Sequence, residues 1–241
     1  MRKKNESRIQ PMDNAFALPV VVTQENKHLQ FVIFGLVGLL LYVTSNHYHI
    51  TPPRLLPMSW LDQGVPFLPH TVWIYLSEYV FFGAVYFTCQ EIMNLNKYIY
   101  SVMTLQVVSV LIFWIWPTTY PRELFPLPQD LDPLTYFAFD TLRQADTSAN
   151  CCPSLHVSSV YLSSFIFLDD QRKKFPFFFF WGTLIALSTL TTKQHYLVDV
   201  VTGFLLAGAF YWIFHKFFVY LPKEQYAQHR LRLSQKAQAK R

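Results

Sequence analysis

Six stretches of the chain are apolar and nearly free of charge: Leu29–Thr44, Thr71–Gln90, Tyr98–Trp116, Pro153–Leu168, Phe175–Thr192 and Tyr196–Phe214. Most approach the ~20 residues that cross a ~30 Å hydrocarbon core as helix. Leu29–Thr44 and Pro153–Leu168 fall short, and helix is expected to extend into their polar flanks. None shows the sustained alternation of a membrane strand. A backbone in lipid must satisfy its hydrogen bonds within the segment. The pattern therefore predicts an all-α, polytopic membrane protein, a bundle of six transmembrane helices. Residues 15–22 (AFALPVVV) are too short to span and are expected at the interface. The basic start MRKK is not followed by a long apolar stretch until Leu29, which is unlike a signal peptide. The expected organisation is a cytoplasmic or interfacial segment (1–28), a membrane domain (29–219) and a basic cytoplasmic tail (220–241).

Composition agrees: 52% of the 241 residues are hydrophobic and 15% charged, against roughly 25% charged in a soluble domain. Charge adds an orientation. With six spans the termini share a side, and sixteen of the twenty Lys and Arg fall on it; Arg54, Arg122, Arg143 and Lys193 fall on the other. The positive-inside rule makes both termini cytoplasmic. The net charge of +5 is then orientation charge, with no nucleic-acid partner needed to explain it. Residues 45–70 and 117–152 become outer connections. The second holds DPLTYFAFDTLRQAD, whose apolar Leu134, Phe137, Ala138 and Leu142 predict an interfacial helix. Cys89, Cys151 and Cys152 read as small apolar fillers rather than a disulfide framework.

Two polar pieces interrupt this picture at the outer face. NCCPSLHV opens the fourth span, with Pro153 expected in the first helical turn. A helix N-terminus favours anions, and Ser154 and His156 can donate to one. The plain alternative is capping by Ser154 and an interfacial His156. KQHYLVD opens the sixth span, where His195 and Asp199, four apart, are expected to share a helix face. Asp199 can fix the imidazole tautomer and leave the other nitrogen as a nucleophile. The alternative is a structural His–Asp pair, in which the imidazole offsets the cost of a carboxylate in an apolar run. The alternating topology brings Ser154, His156, His195 and Asp199 to one face. Two histidines there suit two roles, one attacking and one protonating a leaving oxygen. Arg122, in an exit loop, can hold phosphate oxygens by paired bonds, and Lys193 can add a second cation; both can instead meet lipid headgroups.

Glu78, inside the second span, is a functional candidate by position, or a buried carboxyl bonded to Tyr75 and Tyr79. His47, His49 and His70 lack zinc-ligand spacing, and no acidic cluster suits magnesium, so no metal is expected. Asp130, Asp132, Asp140, Arg143 and Asp146 read as loop surface, with Arg143 able to reach a headgroup.

These pieces resemble the type-2 phosphatidic acid phosphatase superfamily, whose signatures are Lys-x6-Arg-Pro, Pro-Ser-Gly-His and Ser-Arg-x5-His-x3-Asp. Pro153, Ser154 and His156 match the second, with Leu155 in the glycine place. His195 and Asp199 match the end of the third; Ser188 takes the serine place and Thr189 replaces the arginine. Arg122 in YPRE is the nearest counterpart of the first, with Ile115 where its lysine would stand. The resemblance covers roughly Pro66 to Tyr211. The PSLH form is similar to the branch containing inositol phosphorylceramide synthases, which transfer a phosphorylated headgroup to a lipid alcohol.

The resemblance implies cofactor-free, metal-free chemistry on a lipid phosphate. His195 would form a phosphohistidine, Asp199 would orient it, and His156 would protonate the leaving oxygen. Ser154, Arg122 and Lys193 would hold the phosphate oxygens. Hydrolysis of a lipid phosphate monoester or pyrophosphate at the outer leaflet is the first expectation, headgroup transfer the second. A non-catalytic transporter or scaffold is the rival of another class.

Overall fold

The computed structural model of the chain describes residues 16–238. β1 (Phe16–Pro19) leads into α1 (Lys27–His47). The first long connection carries β2 (Arg54–Leu55) and α2 (Trp60–Gly64), then a 3-10 turn at Pro69–Thr71 that enters α3 (Val72–Leu76) and α4 (Glu78–Thr88). α5 (Ile92–Ile115) runs to β3 (Thr118–Thr119), and α6 (Pro133–Ala145) lies in the second connection. α7 (Leu155–Phe165), α8 (Phe175–Thr191), α9 (Leu197–Lys216), β4 (Phe218–Leu221) and α10 (Lys223–Gln238) complete the order. The basic residues Arg2, Lys3, Lys4, Arg8, Lys240 and Arg241 lie outside the described residues.

Three helices, α1, α5 and α9, are long and apolar enough to cross a membrane by themselves, which marks a membrane protein. The other three expected spans differ from the sequence reading. The second is broken: Ser77 separates α3 from α4, and its hydroxyl donates to Ile74 O at 2.6 Å, a back-bond of the kind that bends helices. α8 has 17 residues, about 25 Å of helix. α7 is shorter still, with 11 residues. It contacts α4, α5, α8 and α9 and buries all its residues except His156 and Phe165. A helix enclosed by protein is not held to the lipid thickness.

The apolar segments alternate in direction. Lys27 Nζ donates to Cys89 O, setting the start of α1 beside the end of α4. The amides of Gln90 and Glu91 donate to Asp170, just beyond α7. β1 pairs in parallel with β4, so the two ends of the described chain meet at this same end. At the opposite end Ile50 N donates to Trp114 O, and β2 pairs with β3. The two parallel strand pairs were not anticipated. Residues 16–22 pack on the bundle: Val21 and Val22 donate to Asn96 Oδ1 on α5, and Val22 is fully buried. The interfacial helix is present as α6, but its stripe is divided. Leu134 and Phe137 face outward, while Ala138 and Leu142 pack with Phe139 against Val72 and Tyr75.

Close packing of α7 against α9 sets the geometry of the site end. α7 presents Ser158, Ser159, Ser163 and Ser164, and small residues let helix backbones approach where lipid gives no hydrophobic drive. The hydroxyls of Ser158 and Ser164 are satisfied by carbonyls within α7. Gly203 of α9 meets the first turn of α7: an added Cβ would lie 2.7 Å from Ser154 O and 3.1 Å from the Val157 side chain. Gly203→Ala is therefore expected to force α7 and α9 apart and to cost about 1–3 kcal/mol, as overpacked sites do. Thermal unfolding in detergent measures it, and an unchanged midpoint would show that the helices yield freely.

Candidate active site

α8 ends in a tight turn that aims His195. Thr189 O accepts from the amides of both Gln194 and His195. The turn requires Lys193 at φ 55°, a left-handed conformation that costs a residue with a Cβ about 1–2 kcal/mol. Its ammonium is tied down elsewhere: Lys193 Nζ donates to Asp62 O at 3.0 Å and Val65 O at 2.6 Å. Asp62 in turn accepts from Leu197 N, the first residue of α9, at 2.7 Å. Lys193 thus pins α2 over the α8–α9 turn, and it does not line the pocket described below.

His195 lies before α9 rather than on it, so it does not meet Asp199 along a helix face as the spacing predicts. Asp199 is the third residue of α9, and its Oδ2 accepts from Tyr196 N at 2.8 Å. The same oxygen lies 3.4 Å from His195 Nδ1. The carboxylate is fully buried. Its place in the first helical turn, where amide hydrogens and the helix dipole favour negative charge, makes that burial tolerable.

The other histidine comes from α7. Ser154 is the N-cap, its Oγ accepting from Val157 N at 3.2 Å, and Pro153 precedes the cap instead of occupying the first turn. Ser154 is fully buried and off the pocket wall, so its hydroxyl caps the helix. β3 holds the approach: Thr118 Oγ1 accepts from Cys152 N and Thr118 O from Cys151 N. His156, in the first turn, brings its Nδ1 to 3.5 Å from His195 Nε2. On its far side His156 Nε2 lies 2.6 Å from the Tyr75 hydroxyl and 3.4 Å from Glu78 Oε1. Glu78 is therefore the carboxylate behind His156, with Tyr75 beside it; Tyr79, the other partner weighed from sequence, faces outward.

A small pocket opens beside the paired rings. Its walls include Tyr42 and Asn46 of α1, Asp146 and Asn150 of the loop before α7, and Gln194 with both histidines. It has room for about one water, roughly 10 Å³. Asp146 was expected on the loop surface, but only 9% of it is exposed. Burial pushes its carboxyl above the usual carboxylate range, against the hydrogen bond from Tyr42 and the charge of Arg122. The sequence signal is only that Asp146 follows an amphipathic helix and precedes NCCPSLH. Arg122 stands behind Gln194. Its Nη1 donates to Arg143 O and Asp146 O, both at 2.8 Å, and its Nη2 reaches Gln194 Oε1 at 3.4 Å. Arg143 lies over the Phe139 ring and donates to Phe125 O.

The anchoring of Lys193 generates a stability prediction. Lys193→Ala keeps the left-handed turn but loses two bonds from a charged donor, each worth about 1.5–3 kcal/mol. The expected result is a lowered unfolding midpoint in detergent; an unaltered midpoint would mean that α2 is held without it.

The geometry can be set beside known proteins. A family model described as the PAP2 superfamily matches residues 48–213. No curated protein matches the chain. The matched stretch begins at the end of α1 and contains Glu78, Arg122, His156, His195 and Asp199, so every group gathered around the paired rings, Tyr42 and Asn46 excepted, falls inside it. Phosphatase-type enzyme chemistry follows in general terms from that match, and the chain belongs to the PAP2 superfamily.

Proposed function

We propose that the protein is a membrane enzyme that cleaves a lipid phosphate through a phosphohistidine on His195. The observation that carries this reading is the row Asp199–His195–His156–Glu78, two imidazoles with their near nitrogens 3.5 Å apart and a carboxylate 3.4 Å behind each. A proton on Nδ1, the His195 nitrogen that lies 3.4 Å from Asp199, leaves Nε2 its lone pair for attack on phosphorus. The bond from phosphorus to the leaving oxygen breaks as His156 Nδ1 gives that oxygen a proton. Glu78 and Tyr75, on Nε2, hold the ring and stabilise its cationic form before transfer. Water then attacks the phosphohistidine, passing a proton to His156, and inorganic phosphate leaves.

The phosphorus must enter between the rings. An attacking atom sits about 3–3.5 Å from its target, and a proton donor must lie beyond the leaving oxygen. The rings therefore separate on binding. Arg122 is the cation nearest the pocket; exchanging its long contact with Gln194 for a phosphate oxygen would supply charge to the transition state. Ser154 and Lys193, the other two residues expected to hold phosphate, are committed to the cap and to the α2 anchor.

The orientation follows from charge. With the six apolar segments taken as crossings, the strand-paired ends are cytoplasmic and the histidines open to the extracytoplasmic leaflet, as the positive-inside rule requires. Transfer of a headgroup to a lipid alcohol is the second reading, favoured by the polar groups of the pocket.

Purified protein in detergent, given phosphatidate, is expected to release phosphate. His195→Ala should abolish turnover, and His156→Ala should lower kcat by about 10²–10⁴-fold, the usual worth of a positioned acid. Equal rates in all three proteins would remove this mechanism and leave a transporter or scaffold.

A further inference from the structure

The two faces of α6 differ, and the outer one changes character along its length. Asp132 caps the helix, accepting from Thr135 N at 2.9 Å, and Pro133 opens its first turn. Thr135, Ala138, Phe139 and Leu142 form the buried inner face, and the last three pack with Val72 and Tyr75 of α3. On the outer face the first half of the helix carries Leu134, Tyr136 and Phe137, with Leu134 66% and Phe137 68% exposed. The second half carries Asp140, Thr141 and Gln144. Large apolar side chains grouped on an outer face mark a contact surface.

What covers the apolar half follows from its neighbour. Trp73 of α3 is 44% exposed, and its Nε1 donates to Thr135 Oγ1 at 3.1 Å. α3 forms the outer part of an apolar segment read above as a crossing, and Trp favours the lipid–water boundary. The first half of α6 is tied to that boundary. The second half leads to the site. α6 ends at Ala145, and the carbonyls of Arg143 and Asp146 both accept from Arg122 Nη1 at 2.8 Å. A helix C-terminus carries partial negative charge, so the end of α6 suits a guanidinium.

We infer that the first half of α6 is seated in the outer leaflet, with Leu134 and Phe137 among the acyl chains, and that this seating holds Arg122 and Tyr75 in place at the site. The inference rests on the crossings and the phosphohistidine reading proposed above, and it adds the lipid contact that supports their geometry. Arg122 is held by the last turn of α6. Tyr75, whose hydroxyl lies 2.6 Å from His156 Nε2, is packed beneath the middle of the helix. A rocking motion of α6 would displace both groups at once, and lipid around Leu134 and Phe137 opposes it. A second copy of the chain would bury the outer face more evenly. Here Asp140, Thr141 and Gln144 follow the apolar residues on the same face, the graded pattern of a helix dipped obliquely among headgroups.

The test attaches a nitroxide to Phe137→Cys and, separately, to Gln144→Cys in the full-length protein in phosphatidylcholine liposomes. The unmodified protein, treated alike, gives the background from its three buried cysteines. Oxygen concentrates in hydrocarbon and a water-soluble nickel chelate is excluded from it, so relaxation by each reports depth. The label at 137 is expected to respond to oxygen and the label at 144 to nickel. Equal response of both labels to nickel would overturn the seating. Spin–spin broadening at 137 would assign the face to a second copy and overturn it as well. Activity checks the link to the site. Phe137→Ser should lower kcat on phosphatidate by about 10-fold, the order expected when a large side chain loses its apolar contact. Phe137→Leu should keep kcat within about twofold, as apolar swaps of similar volume do. An unchanged kcat in Phe137→Ser would overturn that link. Turnover absent from the unmodified protein would sink the phosphohistidine reading, and the two labels would still decide where α6 sits.

Discussion

An ionisable group inside an apolar bundle is stable only if a neighbour answers it, and the site end of this chain is organised by that requirement. Asp199 is answered by the amide of Tyr196 and by the ring of His195. Glu78 is answered by His156, which also meets the Tyr75 hydroxyl. The two rings then meet one another. An unpaired carboxylate at such depth would cost several kcal/mol. The row is therefore a structural necessity whatever chemistry it performs. Removing any member leaves its neighbour exposed to the same penalty, and that couples chemistry to folding throughout this region.

The row spans four elements: α4, α7, the turn before α9 and α9 itself. It holds its distances only because those elements cannot slide. Gly203 lets α9 touch the backbone of α7 at Ser154, and Ser154 N donates to Asp199 O across the same contact. The turn that carries His195 is fixed from outside by Lys193 and Asp62. The loop that leads into α7 and His156 is fixed by Thr118. Each histidine thus sits at the junction of a rigid helix and a pinned loop, a better platform for ångström-scale geometry than a free loop.

Much of this was legible in the sequence. Apolar runs locate helices because lipid forbids other solutions, and the runs found in this way correspond to α1, α5, α7, α8, α9 and the broken pair α3–α4. His156, His195 and Asp199 were legible because polar residues in apolar runs have few innocent explanations. What failed was local. Ser154 and Lys193 looked like phosphate donors because residue type reports the charge of a side chain and not where it points; one became a cap and the other an anchor. The break at Ser77 was hidden because Ser is unremarkable in hydropathy, and its back-bond to Ile74 O depends on geometry. Asp146 was lost for a different reason. Its burial depends on α1, more than a hundred residues earlier, folding over the loop that precedes α7.

That last contact changes how the departures from the family signatures are understood. Thr189 stands where the third signature has an arginine, and Thr189 O now accepts two amides of the turn that aims His195. Charge absent from that position is not restored by Lys193, which is committed to α2. Arg122 remains, and it is itself bound to the carbonyl of Asp146 and the side chain of Gln194, two residues of the pocket wall. The cation and the pocket wall therefore share one frame: movement of Gln194 breaks the longest of the guanidinium's contacts, at 3.4 Å, while the carbonyls of Arg143 and Asp146 still hold its Nη1.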